Sequence, residues 1–433
     1  MFEREFSQLA TTIRDAVTKV REAKSIVTRR QVRVRRRDFS LRFRPDLGFA
    51  SFAPERIEED IWDWREQERF QDSLVKSLDE YKSLEAALGP KAGSAEGFAR
   101  AVSFASFHGL DDKELMDLVS ASARELEGRP LPVRVTAFID GLSISESPLV
   151  LSDGFSLRQP TPEDVAEYIV LDEYGSFSFP LGEAWFCVVG EFVLDAINTG
   201  PVQTEFLRTV DALRLFRVGG IAANRYVMSS RHSFLNGGRM ILGGPARRSR
   251  FTYTLSSSDV ATLNRFLRDV VPRLPDPLHL NMATTESEIA YTRYSDALFQ
   301  DGPSERAITS AMTALEALFL EGETELTHRL AQRVSLLLRV LGTQPDAQGT
   351  YDNVKKAYKI RSTFIHGGSL EAKDRPQADS LAPVVLEYAR ECVLAFFQLA
   401  TPKGELLKQI DRAMIDRVGV SKLEASLTPV AHR

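Results

Sequence analysis

The spacing of apolar residues changes twice along this 433-residue chain, and that change limits the folds open to it. In the first segment, and again from about Ser256 onward, apolar residues recur three or four apart, the period of a helix buried on one face. Between them, from about 131 to 255, apolar and polar residues alternate, the period of a strand with one covered face. No all-helical or all-strand architecture satisfies both patterns. The expected fold class is therefore multidomain α+β. Residues 1–128 read as a mostly helical segment with an Arg-rich strand pair, 129–255 as an α+β domain, 256–416 as a helical bundle and 417–433 as a flexible tail. The length agrees, at about two to three domains.

Phe2, Phe6, Leu9, Ile13, Val17, Val20 and Val27 predict a helix over 2–28, and helical patterning returns over 55–88. Asp111-Asp112 is a helix-start signal, and Gly128-Arg129-Pro130 marks a boundary. Beyond it, Val133, Val135, Ala137 and Ile139 alternate with Arg134, Thr136 and Phe138, and Trp185 to Leu194 reads as a buried strand. Phe206, Val210, Leu213 and Phe216 share one face of a helix over 201–218. Further helices are expected near 257–271, 285–300, 304–320, 325–341, 350–366, 380–400 and 403–416, with short connections that favour antiparallel neighbours.

Composition narrows the function classes. Hydrophobic residues at 43% and charged residues at 27% exclude a wholly disordered chain and a fibrous repeat. The net charge of −5 means that nucleic-acid contact must come from a local patch. Cys187 and Cys392 form neither a disulfide framework nor a zinc motif, and a reducing cytoplasm fits them. The N-terminus is charged where a signal peptide needs an apolar core, and no apolar run reaches the length of a membrane span. No His-Glu-x-x-His motif or Gly-x-Ser-x-Gly elbow occurs, and neither a metal site nor a cofactor is read.

The one strongly basic patch is 29–44, with eight Arg against one Asp. Val32/Val34 and Phe39/Leu41/Phe43 alternate within it, predicting two short strands with arginines on the exposed face. Arg33, Arg35, Arg36 and Arg37 are candidates for binding an RNA backbone. A solvated strand face, or pairing with the acidic stretch 55–60, explains the same residues.

The most informative stretch is Tyr358-Lys359-Ile360-Arg361-Ser362-Thr363-Phe364-Ile365-His366-Gly367-Gly368. Arg-x4-His alone is weak, since a chain with 6 His and this much Arg yields about 0.6 chance matches. Its setting adds weight. Val354, Ala357/Tyr358, Arg361 and Phe364/Ile365 follow helical spacing, so Arg361 falls on the apolar stripe and needs a partner there. Glu316 lies on the stripe of Ile308, Met312, Leu315 and Phe319 and is the expected partner. Gly367-Gly368 can close the helix in a left-handed cap, and a helix C-terminus favours a protonated imidazole at His366. An ion pair plus a capping His accounts for the same pattern without any chemistry. Lys355, Lys356 and Lys359 precede Arg361 and are candidates for guiding RNA.

Three blocks together resemble the Apea-like branch of the HEPN superfamily. They are Ser304–Ile308 running on through Thr313-Ala314-Leu315-Glu316-Ala317-Leu318-Phe319, then Leu326-Thr327-His328-Arg329 through Leu338, then Tyr358–Gly368. The resemblance covers about 285–400. It implies a HEPN-like helical bundle that commonly dimerises, in metal-independent RNA endonucleases of toxin and anti-phage systems. Arg361 and His366 match the family's catalytic pair, Glu316 is assigned as an orienting partner, and Ser362 takes the polar position where many members carry Asn, Asp or His.

The expected reaction is attack by the RNA 2′-hydroxyl, with one imidazole taking its proton and another protonating the leaving oxygen, to give a cyclic phosphate and a 5′-hydroxyl. Arginine stabilises the phosphorane-like charge. Residues five apart on one helix point about 140° apart, so a homodimer that joins two motifs is expected. Residues 1–255 would bind a phage-derived or cellular trigger, with no membrane partner. A catalytically silent HEPN adaptor that binds RNA or a protein is the alternative.

Overall fold

In the computed structural model, helix α1 (Glu3–Glu22) buries Phe6, Leu9, Ile13 and Val17 on one face. Four strands follow, β1 (Thr28–Val34), β2 (Ser40–Arg44), β3 (Phe49–Ala53) and β4 (Arg56–Trp62). Helices α2 (Trp64–Ser73), α3 (Asp79–Leu88), α4 (Gly93–Phe107) and α5 (Asp112–Leu126) come next. Asp111 starts α5 with a capping box: Glu114 N–H donates to its carboxylate at 2.8 Å, and its own N–H donates back to Glu114 at 3.1 Å. Helices α1, α3, α4 and α5 enclose one apolar core, in which Phe6 meets Phe98 edge-on at 4.4 Å.

The structure describes residues 2–23, 28–34, 40–44, 49–53, 56–62, 64–91, 93–107, 109, 111–151, 154–161, 164, 188–230, 238–243, 249–321, 326–368, 370–371, 374–399 and 401–427.

Two expectations change in the N-terminal segment. The Arg-rich strands do not pair with each other; β1 pairs with β4 and β2 with β3, both antiparallel. Residues 56–62 are strand and not helix. Ile57 and Ile61 are four apart, which fits a helical turn and one face of a strand equally well, and the ladder to β1 decides between them.

The alternating segment forms β5 (Leu131–Asp140), β6 (Leu142–Ile144), β7 (Leu149–Val150), β8 (Phe155–Arg158), β9 (Val188–Ala196), helix α6 (Thr199–Phe216), β10 (Ala222–Ser230), β11 (Gly238–Gly243) and β12 (Tyr253–Leu255). Six of these strands make an antiparallel sheet in the order β11-β10-β5-β9-β8-β7, and β12 pairs in parallel with β6. Val133, Val135, Ala137 and Ile139 are buried with Phe206, Val210 and Leu213 of α6, so the alternation marks the covered face as read. Residues 185–187 of the expected long strand lie outside the described residues.

The rest is helical: α7 (Val260–Val270), α8 (Glu286–Leu298), α9 (Ser304–Phe319), α10 (Leu326–Val340), α11 (Ala347–Ile365), α12 (Arg375–Gln398), α13 (Lys403–Ala413) and α14 (Arg417–Leu427). Helix α14 occupies most of the expected flexible tail. Its Leu423 and Leu427 are three and seven residues beyond Val420, on one face, and join the main core. Residues 428–433 lie outside the described residues. Among the described residues no helix is long and apolar enough to cross a membrane.

The apolar core under the sheet continues without a break into the helical bundle. Arg390 of α12, 1% exposed, sits at this junction. Its Nη1 donates to the Leu215 carbonyl at 2.8 Å, in the last turn of α6, while Nε donates to Glu387 at 2.8 Å and Nη2 reaches both Glu387 and Glu391.

Arg390→Met is expected to cost about 3–5 kcal/mol in urea unfolding, because it strips Glu391 and the α6 carbonyl of their buried donor. Leu423→Ala is expected to cost about 2–5 kcal/mol, whereas a frayed tail would leave the unfolding midpoint unchanged.

Candidate functional site

The site lies where α11 crosses α9. Asp346 caps α11 by accepting the Gly349 N–H at 2.9 Å. Val354, Ala357 and Ile360 then point into the core. On α9, Ile308, Met312, Leu315 and Phe319 are buried in the same core. Arg361 and Glu316 sit at the margin of these two apolar stripes and meet: Arg361 Nη2 donates to Glu316 Oε2 at 3.0 Å. Their side chains are 23% and 16% exposed. The guanidinium also lies over the Tyr358 ring, 5.7 Å from its centroid. Its Nε is buried and has no hydrogen-bond partner among the described residues, so the fold does not saturate this arginine.

Burial raises the Glu316 carboxyl above the ordinary value of 4.5, and Arg361 pulls it only partly back. The folded protein therefore holds this proton more tightly than the unfolded chain does.

Helix α11 ends as the glycines indicate. Gly367 has φ +78°, its N–H donates to the Phe364 carbonyl at 3.1 Å, and the Gly368 N–H donates to the Thr363 carbonyl at 2.9 Å. This is a Schellman closure. The His366 N–H donates to the Ser362 carbonyl at 3.2 Å, and the His366 side chain stands exposed beyond the last turn. Ser362 is half-buried.

The structure thus joins Arg361 to Glu316 and puts Ser362 and His366 on the same helix. It does not bring the lysines to Arg361. Lys355, Lys356 and Lys359 are exposed, and on a helix of 100° per residue they point about 120–160° away from it. Lys355 Nζ instead lies 5.3 Å from the centroid of the Tyr351 ring, and the Tyr351 hydroxyl is 2.7 Å from His328 Nδ1. Arg33 lies on β1 opposite Ile57 of β4, and Arg35, Arg36 and Arg37 lie outside the described residues. The same register sets Arg30 opposite Asp60, so the acidic stretch is the neighbouring strand of the basic one.

A second buried charge cluster escaped the sequence reading. Asp211 on α6 is 5% exposed, and Arg214 donates to it from Nη1 at 2.5 Å, to the Ile221 carbonyl from Nε at 2.5 Å and to the Tyr291 hydroxyl at 3.3 Å. Burial raises the Asp211 carboxyl despite Arg214. The group borders a cavity of about 280 Å³. Asp211 follows Val210 but points about 100° away from it, off the stripe of Phe206, Val210 and Leu213, so the apolar spacing that singled out Arg361 gave no signal here. Cys392 is fully buried and its thiol is pushed up by that burial, which makes it a core residue and not a nucleophile.

The Glu316 carboxyl gives a pH test. As pH rises from about 4.5 through its raised folded value, ionisation of this group is expected to lower stability, because the folded state gives up its proton later than the unfolded chain. Glu316→Gln should flatten the stability–pH curve in that window, and Arg361→Ala should widen the window by removing the charge that pulls the carboxyl down. Urea midpoints between pH 4 and pH 7 read this directly.

Compared with protein-family models, curated proteins and solved structures, the chain matches none.

Proposed function

We propose that the chain is a HEPN-type endoribonuclease that cuts RNA without a metal, working as a homodimer in anti-phage defence or a toxin-like role. The observation that carries this reading is Arg361: an unsaturated guanidinium anchored by Glu316 at the core margin, on the helix whose end presents an exposed His366. An anchored arginine suits a phosphate whose negative charge grows during reaction, because its position costs no rearrangement at that moment. An exposed imidazole suits proton transfer.

The chemistry follows from those two groups. His366 takes the proton of the RNA 2′-hydroxyl as its oxygen attacks the adjacent phosphorus. Arg361 stabilises the extra charge on the phosphoryl oxygens. A second imidazole gives a proton to the departing 5′-oxygen, leaving a 2′,3′-cyclic phosphate and a 5′-hydroxyl. One α11 turns Arg361 inward and His366 outward, so two copies across a two-fold axis are needed to set both kinds of group around one phosphate. Ser362 would contribute a hydrogen bond near that phosphate, and the upstream segments would hold or sense a trigger. The commitment of Arg361 to Glu316 within one chain favours a second reading, a silent adaptor that binds RNA or a protein partner.

Purified wild type, Arg361→Ala and His366→Ala proteins incubated with cellular RNA in EDTA decide between them. The nuclease reading expects cyclic-phosphate ends from the wild type and a loss of about 10²- to 10⁴-fold in His366→Ala. Cleavage that survives either substitution sinks it. RNA binding without cleavage by the wild type favours the adaptor.

A further inference from the structure

The cavity of about 280 Å³ beside Asp211 is bordered by α6, α8, the start of β10 and the connection from α7 to α8. A wider cleft of about 630 Å³ lies between α5 and β5, but Asp117 on its helix side is already engaged. Around the smaller cavity the polar groups converge by distance. Arg214 Nη1 lies 2.5 Å from Asp211 Oδ1 and 3.3 Å from the Tyr291 hydroxyl. Ser295 follows Tyr291 by one turn of α8, on the same face, and lines the cavity with it. Ser295 is 9% exposed, and its hydroxyl has no hydrogen-bond partner among the described residues. A buried hydroxyl costs stability unless it is bonded, so this one calls for a partner from outside the chain.

The neighbouring groups have capacity left. An ionised carboxylate accepts at about four sites, and among the described residues Asp211 meets Arg214 and Tyr291 alone. Arg214 spends Nε on the Ile221 carbonyl and Nη1 on Asp211 and Tyr291, which leaves Nη2 without a bond among the described residues.

Charge and size set the occupant. Asp211 and Arg214 cancel each other, and Asp296, the other acid on the wall, is paired with Arg293 at 3.4 Å. A net charge brought into this space finds no free counter-charge, so the occupant is neutral. Leu207, Val210 and Leu280 offer it an apolar face. At about 30 Å³ per water the cavity holds about nine waters, the space of a molecule of about as many heavy atoms. A carboxylate beside a guanidinium presents an acceptor next to a donor. The complement of that pair is an N–H next to a carbonyl, the lactam edge of a free nucleobase.

We propose that this cavity binds a small neutral lactam of nucleobase size, with its N–H on Asp211, its carbonyl on Arg214 and a further ring acceptor on Ser295. Arg214 and Tyr291 hold the carboxylate in place before the ligand arrives, which keeps the ordering cost of binding low. The site is independent of the nuclease reading, since it uses none of Arg361, Glu316 and His366.

Calorimetric titration of the full chain with hypoxanthine and uracil tests this, beside hypoxanthine methylated at its lactam nitrogen and uracil methylated at both nitrogens. At least one of the two bases is expected to bind with a Kd of about 100 μM or tighter, within reach of a ligand of this size. Its methylated form keeps the carbonyl and loses the N–H, and should bind at least about tenfold more weakly. Ser295→Ala should weaken binding about three- to tenfold, the loss of one hydrogen bond, and Leu280→Trp should abolish it by filling the space. Arg265→Ala, an exposed position on α7, should change nothing. Ser295→Ala removes a hydroxyl that bonds no described residue, so the variant keeps the fold, and circular dichroism verifies that. A Kd weaker than about 100 μM for both bases, equal binding of base and methylated form, or binding untouched by Ser295→Ala or by Leu280→Trp overturns the proposal.

Discussion

Arg390 joins the two halves of the main core. The last carbonyls of α6 point into a region closed to water, where no further helical turn can receive them. The Arg390 guanidinium reaches from α12 to accept that role, and Glu387 and Glu391 neutralise it. A cation at a helix C-terminus is favourable by itself, and one with two carboxylates is tolerable in a dry core. Around this contact the sheet layer and the bundle have no independent surfaces left to part along, which is why one apolar cluster runs through both.

The same device recurs. Arg333 of α10 donates to Asp411 of α13 at 2.8 and 2.6 Å and reaches the Phe319 carbonyl, and Arg214 binds Asp211, Tyr291 and the Ile221 carbonyl. Both of these arginines cap backbone and meet carboxylates, as Arg390 does. Arg361 differs from them. It holds one carboxylate by one bond, caps no carbonyl, leaves Nε unused and is the most exposed of the four. Arg390, Arg333 and Arg214 each meet both a carboxylate and a backbone carbonyl, and the contrast with these three is the physical basis for treating Arg361 as a functional group.

Much of this was legible in the sequence because periodicity reports burial. Val133 to Ile139 announced a covered sheet face, the helices from α7 to α13 fell where apolar spacing put them, and Gly367-Gly368 announced the end of α11. The Arg361–Glu316 contact was legible too, since two opposite charges on inward stripes have few other solutions. Pairing was not. Ile57 and Ile61 fit either period, so only the ladder made 56–62 a strand, and only the ladder gave the Arg-rich strands different partners. Helix α14 was missed because its apolar face is short and becomes meaningful only once a core exists for Leu423 to enter. Nor could spacing reveal that α5 and β5 leave a cleft between them, or that the lysines of α11 point away from Arg361. The sequence alone determined which faces had to be covered and which charges had to be paired. The tertiary structure decided what covers them, because a partner across a sheet or a cleft is set by the path of the whole chain and not by neighbours along it.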